Sequence, residues 1–240
     1  MLEVWPQVGR AGVSERLRTF VNEMPYERGP IFDFIQNAAS LLRAEAEVLD
    51  VGAGEAPYKE LFAHTNYRTL DWEHSVHEAA SDSDFVGAAD SIPVADETFD
   101  AVLLTQVLEH VREPSVVLRE LHRILKREGW LFLTAPLIWE LHELPYDFYR
   151  YTENGLRYLV EEAGFVNVEI APRGNGFTTI AQLMRNLSAI SNRVGEDSGD
   201  VRQREAAERL VSLAREVAAL APLDESALMP LGYSVKARRR

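Results

Sequence analysis

The sequence contains no cysteine in 240 residues. This excludes disulfides, thiolate nucleophiles and cysteine-held zinc, and it fits a cytoplasmic setting. Positive charge is scarce: 25 Lys and Arg stand against 38 Asp and Glu, a formal net charge of −13. Such a surface repels phosphate backbones, so no nucleic acid partner is expected. The closing Arg238-Arg239-Arg240 is expected to be a solvated tail. No apolar run reaches membrane-spanning length, and the first residues lack a basic region followed by an apolar core. Neither a membrane segment nor a signal peptide is therefore expected. The length suffices for one sizeable domain with an appendage.

What is present is an alternation of strand and helix signals. Ser14 is placed to cap a helix running to Met24, and a second helix is expected from Pro30 through Arg43. Strands are expected at 47–51, 67–71, 85–89, 99–104, 130–135 and 166–170. Pro114 opens a helix that buries Val117, Leu118, Leu121, Ile124 and Leu125 and stops at Gly129; Thr152 caps another that ends at Gly164. This order implies a parallel sheet with helices on both faces.

The stretch Val48-Leu49-Asp50-Val51-Gly52-Ala53-Gly54 reads as a buried strand that breaks into a tight glycine loop, with a helix expected over Pro57–Phe62. Asp71 follows at the end of the next apolar run, where a ribose-binding acid is expected. A nicotinamide enzyme would continue G-x-G-x-x-G, but Pro57 occupies the third small position. A plain glycine turn explains the glycines and leaves Asp50, Asp71 and Asp90, each after a strand, unexplained. The order D-V-G-A-G, with F-D-A-V-L-L-T-Q-V-L-E-H-V and the helix after it, resembles class I S-adenosylmethionine (SAM) dependent methyltransferases, of the ubiquinone-biosynthesis-like type. The resemblance covers the first strand to the sixth.

The resemblance implies a Rossmann-like class I methyltransferase fold: a seven-stranded, mostly parallel sheet with helices on both faces and an antiparallel last strand. It implies SAM as cofactor. The Gly52-Ala53-Gly54 backbone would approach the methionine part, with Asp50 holding that loop or the amino group. Asp71, with Trp72 beside it, would take the ribose hydroxyls. Asp90 would accept from the adenine amino group near the Ser91 backbone, and Thr105 and Gln106 would lie against the sulfonium and the acceptor. Tyr26 and Arg28, on the helices that often cover the cofactor, pack at the surface or contribute there.

Neither Thr105 nor Gln106 serves as an acidic ligand, so no catalytic metal is expected. Glu109 and His110 resemble an acid–base pair but read as support for the cofactor loop. The segment His142–Tyr151 is dense in aromatic and ionisable groups. It reads either as an acceptor-binding loop, through Tyr146, Asp147, Tyr149 and Arg150, or as a loop held by its own aromatics and an Arg150 pair with Asp147 or Glu143. His142 is the candidate general base, since imidazole titrates near neutral pH. The acceptor is expected to be a small molecule, sugar or glycan, methylated at oxygen; the alternative is a SAM-binding regulatory or scaffold subunit without transfer.

The organisation expected is a helical cap at 1–44, a SAM-binding core at 45–172, a helical insertion at 173–230 and a last strand at 231–240 that returns to the sheet. The insertion is read as one helix with Ile180, Leu183, Met184, Leu187 and Ile190 buried, a loop at 195–199, and a second helix behind an Asp200–Gln203 capping box, burying Leu210, Leu213, Val217 and Leu220. Its apolar faces would cover the acceptor site or form a homodimer contact.

Overall fold

The computed structural model describes residues 12–73 and 82–240. Its elements are α1 (Glu15–Glu23), α2 (Pro25–Ser40), β1 (Glu47–Val51), β2 (Asn66–Asp71), β3 (Phe85–Val86), β4 (Phe99–Thr105), α3 (Pro114–Ile124), β5 (Leu125–Pro136), α4 (Glu153–Glu162), β6 (Phe165–Arg173), α5 (Gly176–Ser198), α6 (Val201–Ala218) and β7 (Gly232–Arg239). The seven strands form one sheet in the order β3-β2-β1-β4-β5-β7-β6. All pairings are parallel except those of β7, which runs antiparallel between β5 and β6.

Apolar runs in the central strands bury both faces of the sheet. Leu49, Val51, Val102, Leu104, Leu131 and Leu133 pack with α3 and α4, through Val117, Leu118, Leu121, Leu156 and Val160. The alternate residues Val48, Ala101, Leu103 and Phe132 pack with α1 and α2, through Leu17, Val21, Ile31, Phe32 and Ile35. Period-two alternation in the strands thus feeds two helical layers.

Several boundaries differ from expectation. α2 begins at Pro25 and runs through Pro30, so the first proline opens a helix and does not merely end one. α3 stops at Ile124 because Leu125 is already extended, and β5 starts there, pairing with Phe99. Gly129 lies inside β5, where a Cβ would meet the Lys126 carbonyl oxygen at 2.8 Å. The expected helix after the glycine loop is only a 3₁₀ turn, Lys59–Phe62. Arg238 and Arg239 are not a solvated tail: both belong to β7, the first lying over the Trp130 ring at 3.3 Å and the second donating to Glu97 at 2.9 Å.

α5 and α6 pack through small and polar side chains. Ala181, Ser188, Gly195, Ala207, Ala214 and Ala218 are buried, and Ser188 Oγ donates to the Ala207 carbonyl at 2.9 Å. A Cβ on Gly195 would stand 3.0 Å from Arg204, so small residues permit the close approach. The larger residues expected inside, Ile180, Leu187, Ile190, Leu213 and Leu220, are exposed. Helix α5 runs unbroken through 195–198, and the capping box belongs to Asn175 and Thr178; Asp200 caps α6 alone. Among the described residues no helix is long and apolar enough to cross a membrane.

Candidate active site

The carboxyl ends of the parallel strands meet at one edge of the sheet, where strand order reverses between β1 and β4. Gly52 leaves β1 with φ +69°, and a Cβ there would stand 2.4 Å from Val107 Cγ2. The left-handed backbone and the Val107 side chain both require glycine. The Gly52 and Ala53 N–H groups donate to the Leu70 carbonyl at 2.8 and 3.2 Å. Asp71 closes the loop, its carboxylate accepting from the Gly54 N–H and the Trp72 N–H at 2.8 Å each. A carboxylate oxygen so engaged keeps a further lone pair.

Asp50 points inward and is buried. It accepts from the Tyr67 hydroxyl, and its other oxygen has no hydrogen-bond partner among the described residues. Burial pushes its pKa up to about 7, opposed by the Tyr67 hydrogen bond and assisted by the charge of Asp71.

After β4, Gln106 adopts φ +55°, an uncommon conformation for a residue with a side chain. Two bonds to Thr134 hold it there: its backbone N–H donates to the carbonyl at 3.0 Å and its Nε2 to Oγ1 at 2.9 Å. A 3₁₀ turn, Leu108–His110, then carries Glu109 into the interior. Both Glu109 carboxylate oxygens lack a hydrogen-bond partner among the described residues, and burial pushes this group up to about 8. His110 Nδ1 lies 2.7 Å from the Tyr146 carbonyl oxygen. A carbonyl only accepts, so Nδ1 carries the proton and Nε2 of the neutral ring holds a lone pair. Burial lowers the His110 pKa, which favours that neutral ring. Its Nε2 stands 3.9 Å from Glu109 Oε1 and 3.9 Å from Glu143 Oε2.

The segment after β5 is braced by an ion pair. Arg150 grips Asp147 through two nitrogens at 2.6 and 2.9 Å and also donates to the Glu140 carbonyl at 2.7 Å. The Arg150 hydrogen bonds hold Asp147 down to about 2. The Asp147 carboxylate in turn accepts from the His142 N–H at 3.0 Å. Tyr149 donates from its hydroxyl to the Arg112 carbonyl at 2.9 Å. Tyr146 meets Trp72 edge-on at 4.9 Å, joining this loop to the end of β2.

Between the strand ends and the loop lies a cleft of about 430 Å³. Its sheet wall includes Gly52, Asp71, Trp72, Asp90, Gln106 and Val107; its loop wall includes His110, Glu143, Tyr146 and Phe148. Five of the expected cofactor residues and one of the expected acceptor residues, Tyr146, therefore share one cavity. Asp50, Ala53, Ser91 and Thr105 stand outside that lining, and Gly54 faces a neighbouring hollow with Glu55, Lys59 and Thr69. Asp147, Tyr149 and Arg150 brace the loop, as the self-packed reading has it, and stand outside the lining. His142 stands one ring back, packed edge-on against His110 at 4.6 Å. Tyr26 packs with α5 and α6, while Arg28 pairs with Glu23 at 2.6 Å. Glu143 and Phe148 belong to the segment His142–Tyr151 but are not among its expected acceptor residues; the loop's return over the strand ends brings them in.

Residues 49–133 match the family described as a methyltransferase domain. No curated protein matches the chain. Among solved structures, the [4+2]-cyclase SpnF is similar in fold, with a TM-score of 0.56, 20% identity, and coverage of 88% of this chain and 80% of that one. A SAM-dependent methyltransferase from Archaeoglobus fulgidus is similar at a TM-score of 0.55 and 15% identity, covering 92% and 98%. Both are likenesses of fold. The sheet order is that of the class I fold, and the methyltransferase domain matched over residues 49–133 supports a SAM-dependent methyltransferase with SAM as its cofactor.

Proposed function

We propose that this enzyme transfers the methyl group of SAM to a hydroxyl oxygen of a small molecule, sugar or glycan, and that it stands with the ubiquinone-biosynthesis-like methyltransferases. The observation that carries the reading is the one cleft shared by Asp71, Asp90 and the aromatic loop. The cofactor would lie along the sheet wall, the methionine part at the Gly52–Gly54 loop, the ribose at Asp71 and the adenine at Asp90 and Ser91. Thr105 and Gln106 would hold the sulfonium end. The acceptor would enter against His110, Tyr146 and Phe148, with Asp147, Tyr149 and Arg150 keeping the loop in place. Net charge of −13 speaks against a nucleic acid acceptor.

Methyl transfer runs in line: the acceptor oxygen forms its bond to the methyl carbon as the sulfonium–carbon bond breaks, leaving a neutral thioether. Alignment and exclusion of water supply most of what such a reaction needs. Loss of the hydroxyl proton is the remaining step, and the Glu109–His110–His142 cluster is the titratable group at hand. Exposed Leu187, Ile190, Val194 and Leu213 on α5 and α6 offer the surface on which a second copy would pack.

Labelled SAM incubated with metabolite and glycan extracts, read by mass spectrometry, tests the reading. Methylated hydroxyl compounds are the expected product. Binding of S-adenosylhomocysteine without transfer to any acceptor would support the regulatory-subunit alternative, and label found only on nitrogen or carbon would overturn the oxygen assignment.

A further inference from the structure

We infer that Glu109, His110 and His142 form a binding site for one transition-metal dication at the acceptor end of the cleft. One carboxylate and two imidazoles offer donor atoms that all lie within 4.8 Å of one another, and this is the group of that kind among the described residues. Donors about 2.1 Å from one ion stand roughly 3 Å apart at a right angle and about 4 Å apart when opposite. The separation of 3.9 Å between Glu109 Oε1 and His110 Nε2 is too long for a hydrogen bond and fits that range. Donors near the 4.8 Å limit would need side-chain rotation to reach one ion.

The second observation is what the donors lack. Glu109 is fully buried, yet neither carboxylate oxygen has a hydrogen-bond partner, and neither has His110 Nε2, among the described residues. Buried polar atoms are otherwise almost always paired. The Tyr146 carbonyl keeps the His110 proton on Nδ1, so the Nε2 lone pair faces Glu109 at 3.9 Å, beyond hydrogen-bond reach. His142 shows the same arrangement: its Nδ1 lies 3.2 Å from the Glu140 carbonyl oxygen, which leaves Nε2 with the lone pair. An imidazole whose other nitrogen donates to a carbonyl is the usual outer support of a metal ligand. Glu143, 3.9 Å from His110 Nε2, stands ready as a further oxygen donor.

Imidazole and carboxylate together suit Zn²⁺, Mn²⁺ or Co²⁺ better than Mg²⁺, which prefers oxygen and water. The expectation of no metal rests on Thr105 and Gln106, and the cluster uses neither. In this arrangement His142 holds the ion and does not take a proton. If the acceptor is a hydroxyl compound, which rests on the proposed function, its oxygen can coordinate the ion, release its proton to solvent near neutral pH, and attack the methyl carbon. The binding itself does not depend on that use.

The test uses the full chain, freed of metal with a chelator and without cofactor. Co²⁺ is titrated while its visible absorption is followed, and Zn²⁺ is titrated by calorimetry. One equivalent of each should bind, with imidazole-type Co²⁺ bands and a raised Tm. Glu109→Gln and His142→Ala should each weaken binding by about a hundredfold. S-adenosylhomocysteine affinity, measured in parallel, should stay near wild type in both variants and reports on the cofactor site separately. If either variant does not fold, the other carries the comparison. Absence of stoichiometric uptake by the wild type would overturn the site, as would uptake unchanged in the variants; Glu109 would then simply be a protonated buried acid.

Discussion

Asp71 shows how one residue links loop geometry to ligand binding. Its two oxygens already accept from Gly54 and Trp72, so the carboxylate is oriented before any ligand arrives. Removal should act on the cofactor and on the loop together. Asp71→Ala is expected to weaken S-adenosylhomocysteine binding by about 1.5–3 kcal/mol, the scale for hydrogen bonds to a charged group. Calorimetry checks it, and unchanged affinity would sink the ribose assignment. Asp50 makes a different prediction. With a folded pKa near 7, above its ordinary value of 3.8, it holds a proton in the folded protein that the unfolded chain has already lost. The stability it contributes is full below the unfolded pKa and is lost as pH rises through about 7. Tyr67 and Asp71 are the groups facing it, and the hydroxyl of Tyr67 stays protonated throughout this range. Asp50→Asn should flatten the slope of stability between about pH 4 and 7 in denaturant titrations. An unaltered slope would assign it to other groups.

At the scale of elements, patterns governed by local periodicity were legible and those governed by packing partners were not. Val117, Leu118, Leu121 and Ile124 of α3 are buried as their spacing requires, because a flat sheet accepts large side chains. The same rule misleads on α5, where a second helix, not a sheet, is the neighbour. There the small residues face inward and Leu187 and Ile190 face out. In the site, strand-end acids could be read from order alone, whereas Glu143 and Phe148 reach the cleft through the path of an irregular loop. A buried pair ties these layers together. Arg173 at the end of β6 donates to Glu27 of α2 at 3.0 Å and to the Ala135 carbonyl of β5 at 3.1 Å. Glu27→Ala strands a buried guanidinium, a change on the order of 3–5 kcal/mol. Chemical denaturation should show that loss, with Glu27→Gln milder because its amide oxygen still accepts. Equal stability of Glu27→Ala and wild type would show the pair to be dispensable.

Over the whole molecule, the chain leaves the sheet after β6, builds the α5–α6 hairpin, and returns to the sheet in its last residues. The alternation Leu231–Ala237 anticipates that return, and the resemblance to class I methyltransferases implies the gap between the fifth and sixth strands. The hydrogen bonds bear this out. β7 pairs with β5 from Trp130↔Arg238 to Pro136↔Gly232, and with β6 from Phe165↔Arg239 to Arg173↔Gly232. It is an interior strand with partners on both sides, and Val235 and Ala237 are fully buried. The Leu231 carbonyl also accepts from the N–H groups of Leu137 and Ile138, where the aromatic loop departs. Deleting residues 231–240 would therefore open two unpaired strand edges in mid-sheet and leave β6 without its pairing partner. The expected outcome is loss of the cooperative thermal transition, not a small drop in Tm. Arg240→Ala, at the exposed final residue, is expected to melt as wild type does. The truncated and substituted proteins are to be compared by circular dichroism on heating. A truncated chain that keeps the wild-type Tm would falsify the interior placement of β7, and with it the view that the last residues are part of the core.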